Sequence, residues 1–509
     1  MAREQFDTSG VERGPDGIKR YTGRPPSLTA MLRRSVDRAP DDEAIVEVGG
    51  ERVSYRELWD RASRVAGGLR AAGLRPGDRA AIRLGNGLAW VLAFWGCQLA
   101  GVVAVPVNTR LTDEEADYVV TDSGASYVFR PGEPLPDAGP HAVENLARDD
   151  LAAIFYTSGT TGFPKGAMTT HGNFLANCET VRRVMRLPGS DTALRNLVSV
   201  PLFHVTGCNS QLLPTLELGG ATVVMPQFEV GEFLRTTVEE RISVLISVPA
   251  IYWLAINQPA FADTDVTSVT RVLYGGAPIA PELVRRIKRA FPGARVSNAF
   301  GLTETASVTT CLPHEYASEH ADSVGFPAPV VDLDLFERDP RTGVGELLVR
   351  APNVVAGYWN KPEATRDTLT CTRWKSRTCS PPIPRYSRRR WSGCRTKSWA
   401  RRSVRSSCRC RASPRVPMTW SPCAVSSWRT SRFPSMLPCA GTHCPATPEE
   451  RCSSPGCATA WTGATRCSKS VAGVQRRQSS LLRWRAGRRC CAQPTVRLGF
   501  SPQFANRRH

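Results

Sequence analysis

The run Leu151-Ala152-Ala153-Ile154-Phe155, followed at once by Tyr156-Thr157-Ser158-Gly159-Thr160-Thr161-Gly162-Phe163-Pro164-Lys165-Gly166, constrains this chain more than any other stretch. A short apolar run bounded by turn residues reads as a buried strand. The glycines after it allow backbone angles that side chains disfavour. Successive N–H groups can therefore turn inward and form a concavity for an anion. Hydroxyls on Thr157, Ser158, Thr160 and Thr161 add donors, and Lys165 adds a cation. A strand opening into such a loop is a place for phosphate chemistry. The loop is not a Walker A loop, because Pro164 precedes the lysine and Gly166 follows it where Ser or Thr is required. A flexible hydroxyl-rich linker is the bland alternative, and linkers lack a strand before them and a Pro-Lys pair after.

Residues 1–370 alternate strand-like and helix-like runs, as an α/β fold does. Ala44–Val48 and Arg52–Ser54 read as a hairpin across Gly49-Gly50, and Ser54-Tyr55-Arg56-Glu57 has capping-box spacing ahead of an amphipathic helix to about Ala72. Arg79–Leu84, Leu197–Val200, Ala221–Met225, Ser243–Val248, Arg271–Tyr274 and Gly345–Val349 read as strands, and Pro281–Ala290 as a helix with a basic face. From Gly85 to Asn108 no charge occurs. Gln98, Gly101 and Pro106 favour a buried helix over Gly87–Leu99 and a strand Val102–Val105 in place of a membrane span. The first 30 residues hold no apolar signal-like core. Only Cys97, Cys178, Cys208 and Cys311 precede Thr370, so a reducing cytoplasm is expected.

Other segments fall in order behind the loop. They are Pro201-Leu202-Phe203-His204-Val205-Thr206-Gly207, Tyr274-Gly275-Gly276-Ala277-Pro278, Asn298-Ala299-Phe300-Gly301-Leu302-Thr303-Glu304-Thr305 and Gly357-Tyr358-Trp359-Asn360-Lys361-Pro362. Taken singly, His204 reads as a core histidine, the Gly-Gly run as a structural turn, and Thr303 as a helix N-cap. Taken together with the loop, they resemble the adenylate-forming (AMP-binding) superfamily of acyl-CoA synthetases, peptide-synthetase adenylation domains and luciferases, over about residues 30–370.

That resemblance implies a large α/β adenylation domain of layered αβ subdomains with a small β-subdomain over 31–370, preceded by an N-terminal extension at 1–30. It implies ATP, Mg²⁺ and coenzyme A as cofactors or co-substrates and a small carboxylic acid as substrate. Thr157, Ser158, Gly159, Thr160, Thr161, Gly162 and Lys165 would hold phosphates; Gly275, Gly276, Ala277, Asn298, Phe300 and Gly301 would line the adenine site. Thr303 would contact the α-phosphate, Glu304 with Thr157 would hold Mg²⁺, and His204, Ile251, Tyr252, Gly275 and Gly301 would border the acyl group. Mg²⁺ takes few carboxylates and completes its shell with phosphate oxygens and water, so one glutamate suffices. Ligation of a fatty acid to coenzyme A is the expected activity, with an aromatic acid as runner-up.

The resemblance stops near residue 370. Of 66 basic and 46 acidic residues, 29 and only Glu449 and Glu450 follow Thr370, as do 13 of 17 cysteines. The tail thus carries +27 and the body −7 of the net +20. The family's ribose-binding aspartate motif, hinge and mobile domain with its catalytic lysine do not follow Cys371-Thr372-Arg373-Trp374. Read in a shifted frame, residues 390–408 can spell Val-Val-Gly-Val-Pro-Asp-Glu-Val-Leu-Gly-Glu-Glu-Val-Gly-Ala-Val-Val-Val, and Pro445 through Pro455 can spell Gly-Asn-Ala-Gly-Gly-Lys-Val-Leu-Lys-Pro. Both resemble the family's mobile domain, and the lysine codon would straddle Glu450 and Arg451. An internal deletion with a frameshift, an unstructured tail over 371–509 and impaired turnover are the expectations. A non-catalytic binder of nucleotide through the body, or of RNA through the basic tail, is the other class; no specific nucleic acid and no transmembrane segment are expected.

Overall fold

A computed structural model of the chain describes residues 5–157, 163–336, 339 and 345–369. The loop centre, Ser158, Gly159, Thr160, Thr161 and Gly162, lies outside the described residues, and so do the tail over 371–509 and every expectation placed on it.

The described residues form a mixed α/β fold built on two large sheets. The first has nine strands in the spatial order Phe326–Pro327, Ser307–Leu312, Arg295–Leu302, Arg271–Gly275, Val244–Ser247, Arg195–Val198, Ala221–Val224, Glu43–Glu47 and Arg52–Ser54. Its six central strands, Arg295–Leu302 through Glu43–Glu47, run parallel, and antiparallel strands close both edges. Parallel strands buried on both faces need continuous apolar side chains, which Val-Leu-Ile-Ser at 244–247 and Ala-Thr-Val-Val at 221–224 supply. The second sheet orders Tyr127–Phe129, Arg79–Ile82, Val103–Pro106, Leu151–Thr157 and Lys165–Thr170. A separate hairpin, Asp332–Phe336 with Glu346–Arg350, supplies the small β element.

Local signals place the helices where their chemistry puts them. Ser54 and Glu57 exchange a reciprocal capping box, with Glu57 N donating to Ser54 Oγ at 3.2 Å and Ser54 N to Glu57 Oε2 at 2.7 Å, and the helix runs Tyr55–Ala71. The uncharged stretch becomes the helix Leu88–Ala100, ended by left-handed Gly101 and followed by the strand Val103–Pro106. Its start has no side chain of its own to cap it; Leu88 N donates instead to Glu47 Oε2 at 3.1 Å. Buried Gln98 spends its amide on the Ala152 carbonyl, 3.2 Å away. No helix among the described residues is long and apolar enough to cross a membrane.

Residues 5–27, within the N-terminal extension expected at 1–30, pack onto the elements that follow. Phe6 and Tyr21 are buried, and the hairpin Val11–Arg13 with Lys19–Tyr21 is pinned by Arg13 and Lys19 to Asp332 at 2.8 and 3.0 Å. Arg24 reaches the buried Glu179, 3.1 Å away, and Glu217 beside it. Burial alone would raise the Asp332 pKa, but hydrogen bonds from Arg13 and Lys19 hold it at about 2. Residues 5–27 are thus fastened by burial of Phe6 and Tyr21 together with ion pairs.

Candidate active site

The strand Leu151–Thr157 pairs antiparallel with Lys165–Thr170, and Thr157 stands opposite Lys165. The glycine loop thus closes a β-hairpin and does not open a helix. A strand, not a helix, follows the loop, so no helix macrodipole stands behind Lys165. Both stems are fastened to the helix Asp113–Ser123. Tyr156 donates its hydroxyl to Asp122 Oδ2 at 2.9 Å. Tyr118 stacks on Phe163 with ring centres 4.9 Å apart and places its hydroxyl 3.4 Å from the Pro164 carbonyl. Lys361 completes the node with an ion pair to Asp122 at 2.7 Å.

The second part of the site forms at the carboxyl ends of adjacent parallel strands, where open α/β sheets place ligands. Tyr274 pairs with Asn298 and Gly275 with Ala299, so the two expected adenine segments lie side by side. Gly276 takes φ +75 beyond the strand end, and Gly276 and Ala277 are exposed. Asn298 and Phe300 are half-buried, the Asn298 amide pointing to the Ser323 carbonyl 3.4 Å away. A register shift falls between Phe300 and Gly301, and a Cβ on Gly301 would sit 1.3 Å from the Ser307 carbonyl oxygen.

Glu304 is carried on the tight turn Thr303–Thr305, with half-buried Thr303 at its start. Directly after it, two residues with side chains are held in left-handed backbone, Ala306 at φ 47 and Ser307 at φ 114. Such conformations cost about 1–3 kcal/mol each and persist only where neighbours enforce them. Here the enforcement is visible. Asn353 donates to the Thr305 and Val308 carbonyls at 2.7 and 2.9 Å, Asn209 to the Ala306 carbonyl at 3.0 Å, and Ser210 meets Ser307 at 2.6 Å. Asn209 and Ser210 ride on a buried π-helical turn, Cys208–Leu212, immediately after the His204 segment.

The two parts meet at Tyr358. Residues 356–359 lie along the strand Lys165–Thr170, with Met168 N donating to Gly357 O at 2.9 Å and Trp359 N to Gly166 O at 2.8 Å. Tyr358 donates its hydroxyl to Glu304 Oε1 at 2.5 Å, and its ring centre lies 5.5 Å from Lys165 Nζ. Val355 N donates to the Glu304 carbonyl at 3.0 Å. Burial, then the charge of Glu304, pushes the Tyr358 pKa up, so its hydroxyl stays a donor. Sequence patterning gives no role to Tyr358 or Asp122. The motif holding Tyr358 was visible, but its partners lie far away in the chain.

His204 keeps solvent-accessible surface, while desolvation and then Arg110 hold its pKa down, so it is neutral near pH 7. Ile251 is 8% exposed. Tyr252 does not border a pocket. It is wholly buried, its hydroxyl donating between the Leu245 and Leu273 carbonyls at 3.0 and 2.9 Å, so it is a core residue. Its place at an apolar helix start, Pro249–Ile256, does not reveal which way the ring turns.

Among the described residues no group of three or more His, Cys, Asp or Glu gathers to hold a metal. A single half-buried carboxylate, joined through Tyr358 to the hairpin strand that begins at Lys165, fits Mg²⁺, which takes few carboxylates and draws other ligands from phosphate and water. Thr157 lies on the hairpin stem, its hydroxyl 3.5 Å from the Lys165 carbonyl.

The sequence profile of the AMP-binding enzyme family matches residues 32–138 and 130–359. The chain belongs to that family. It is 35% identical over 348 residues to a feruloyl-CoA synthase of Amycolatopsis sp, covering 64% of this chain and 70% of that protein. It is 31% identical over 373 residues to the long-chain-fatty-acid–CoA ligase FadD13 of Mycobacterium tuberculosis, covering 67% and 73%. Among solved structures, the N-terminal domain of FACL13 from Mycobacterium tuberculosis aligns with a TM-score of 0.61 at 27% identity, over 68% of this chain and 94% of that one. O-succinylbenzoate coenzyme A synthetase from Bacillus subtilis, in complex with AMP, aligns with a TM-score of 0.60 at 27% identity, over 68% and 92%.

Proposed function

We propose that this body activates a carboxylic acid with ATP, forming an acyl-adenylate for transfer to coenzyme A. The observation that carries the reading is the single side chain, Tyr358, that touches both Glu304 and Lys165. A cation and a carboxylate brought to one tyrosine side chain suit a triphosphate and its magnesium: the cation meets phosphate oxygens, the carboxylate meets the metal. Magnesium, when bound by Glu304, would neutralise charge on the phosphates. Lys165 and the amides and hydroxyls of residues 157–162 orient the leaving pyrophosphate. Thr303 contacts the α-phosphate. Gly275, Gly276, Ala277, Asn298, Phe300 and Gly301 receive adenine against backbone. The carboxylate oxygen attacks the α-phosphorus, and the bond to the pyrophosphate oxygen breaks. Neutral His204 and Ile251 border the acyl group.

A fatty acid is the first substrate to test. The 35% identity to a feruloyl-CoA synthase supports an aromatic acid as the second. We place the protein in the cytoplasm, a reading supported by four buried, unpaired thiols among the described residues. In this chain the residues after Thr370 do not spell the lysine that relatives use, and we propose that acyl-CoA formation is slow for that reason. Pyrophosphate release from ATP, measured with the full chain over saturated fatty acids and hydroxycinnamic acids, tests the reading. Binding of ATP together with acid-dependent pyrophosphate supports it, and the absence of both overturns it. Robust coenzyme A ester formation by the 509-residue chain would overturn the proposed impairment alone.

A further inference from the structure

The structure assigns to Tyr358 the task of aiming Glu304, and this rests on the adenylating site proposed above. Glu304 has several torsions of its own and stands on a turn followed by strained backbone at Ala306 and Ser307. Fixing that backbone does not fix the carboxylate. Among the described residues, the side-chain hydrogen bond to this carboxylate comes from Tyr358, at 2.5 Å to Oε1. With that oxygen engaged, Oε2 is the one left for a metal ion.

Tyr358 is itself held from several directions, as an aiming group must be. Its backbone N donates to Thr365 Oγ1 at 2.9 Å, its neighbours hydrogen-bond along Gly166–Met168, and its side chain is 5% exposed. Trp359 Nε1 donates to the Asp122 carbonyl at 3.1 Å, so the segment that presents Tyr358 is fastened to the helix that fastens the loop stems. The same ring lies under Lys165 Nζ, which keeps the cation and the carboxylate on one support. Tyr358 is therefore a positioning residue: it sets the direction of Glu304 and the seat of Lys165 without itself reaching the reacting atoms.

Partners of this kind behind a metal ligand typically change metal affinity about ten- to a hundredfold. The test uses the full chain and calorimetric titration of ATP with magnesium, ATP with chelator, and AMP. Tyr358→Phe removes the hydroxyl and keeps the ring under Lys165. We expect it to lower the magnesium-dependent gain in ATP affinity about tenfold, while metal-free ATP and AMP affinities stay within about twofold of the parent. Glu304→Gln should lose the same gain, and the double variant should lose no more than either alone, because both act on one interaction. An undiminished magnesium gain in Tyr358→Phe, or additive losses in the double variant, overturns the assignment. Equal losses with and without metal in Tyr358→Phe would mark a merely structural tyrosine and overturn it too. A parent chain that binds ATP under neither condition removes the proposed function itself, a result distinct from these.

Discussion

Asn353→Ala is the substitution that the strained turn makes most informative. Asn353 is fully buried, and its amide serves the Thr305 and Val308 carbonyls at 2.7 and 2.9 Å. These carbonyls bracket Ala306 and Ser307, the two left-handed residues that follow Glu304. Alanine leaves two buried acceptors without their donor, at about 1–3 kcal/mol each, so a loss of roughly 2–6 kcal/mol is expected. That is a large share of a typical net stability of about 5–15 kcal/mol. Urea unfolding of the full chain followed by tryptophan fluorescence measures it. Below the midpoint, where the protein is still folded, magnesium–ATP affinity should fall as well, because the turn that carries Glu304 is free to relax. A change of less than about 0.5 kcal/mol, the size seen at unremarkable surface sites, would refute the claim that Asn353 enforces this turn.

Other outcomes follow from the same geometry. Lys165→Met removes the proposed charge-assisted phosphate contact, of a kind worth about 1.5–3 kcal/mol, so ATP affinity should drop about ten- to a hundredfold while AMP affinity stays within about twofold; equal losses for both nucleotides would count against its role at the pyrophosphate end. Gly301→Ala forces a Cβ to 1.3 Å from the Ser307 carbonyl oxygen, and a backbone clash of that depth should cost about 3 kcal/mol or more, seen as a lowered melting temperature or insoluble expression. His171 is buried, accepts from Leu28 N at 3.2 Å, and has its pKa depressed by burial to about 4. The neutral form is the folded one, so its contribution is complete above the unfolded value near 6.5 and is lost as pH falls from there to about 4. The loss should approach about 3 kcal/mol, and urea midpoints across that window that do not decline would contradict it.

What could be read from the sequence was mostly local. The Ser54–Glu57 capping box, the apolar run ending at Gly101 and the β-branched strands all signal through near neighbours, and each element sits within a few residues of its expected place. The motif order also placed the Gly275 and Asn298 segments together, and their strands are neighbours in register. What escaped depends on pairings between distant residues. Lys165 looked like the end of a phosphate loop, yet whether that loop closed a hairpin was decided by the pairing of Thr157 with Lys165. Residues 5–27 carry no strong apolar pattern, and they are bound to the body by two isolated buried rings, Phe6 and Tyr21, and by ion pairs to Asp332, Glu179 and Glu217. Tyr252 and Ile251 are adjacent in an apolar helix, and nothing in their spacing tells that the Tyr252 hydroxyl caps two strand carbonyls. Tyr358 is the clearest instance: its role exists only once the segment around it has paired with the strand that begins at Lys165.

A crystal structure of the full chain with ATP and magnesium tests the central claim most directly. The triphosphate should lie between Lys165 and Glu304, with the metal on the free carboxylate oxygen and adenine against Gly275–Ala277 and Phe300. Nucleotide seated elsewhere on the protein, or a metal ion bound to the phosphates with Glu304 turned away from it, would contradict the account.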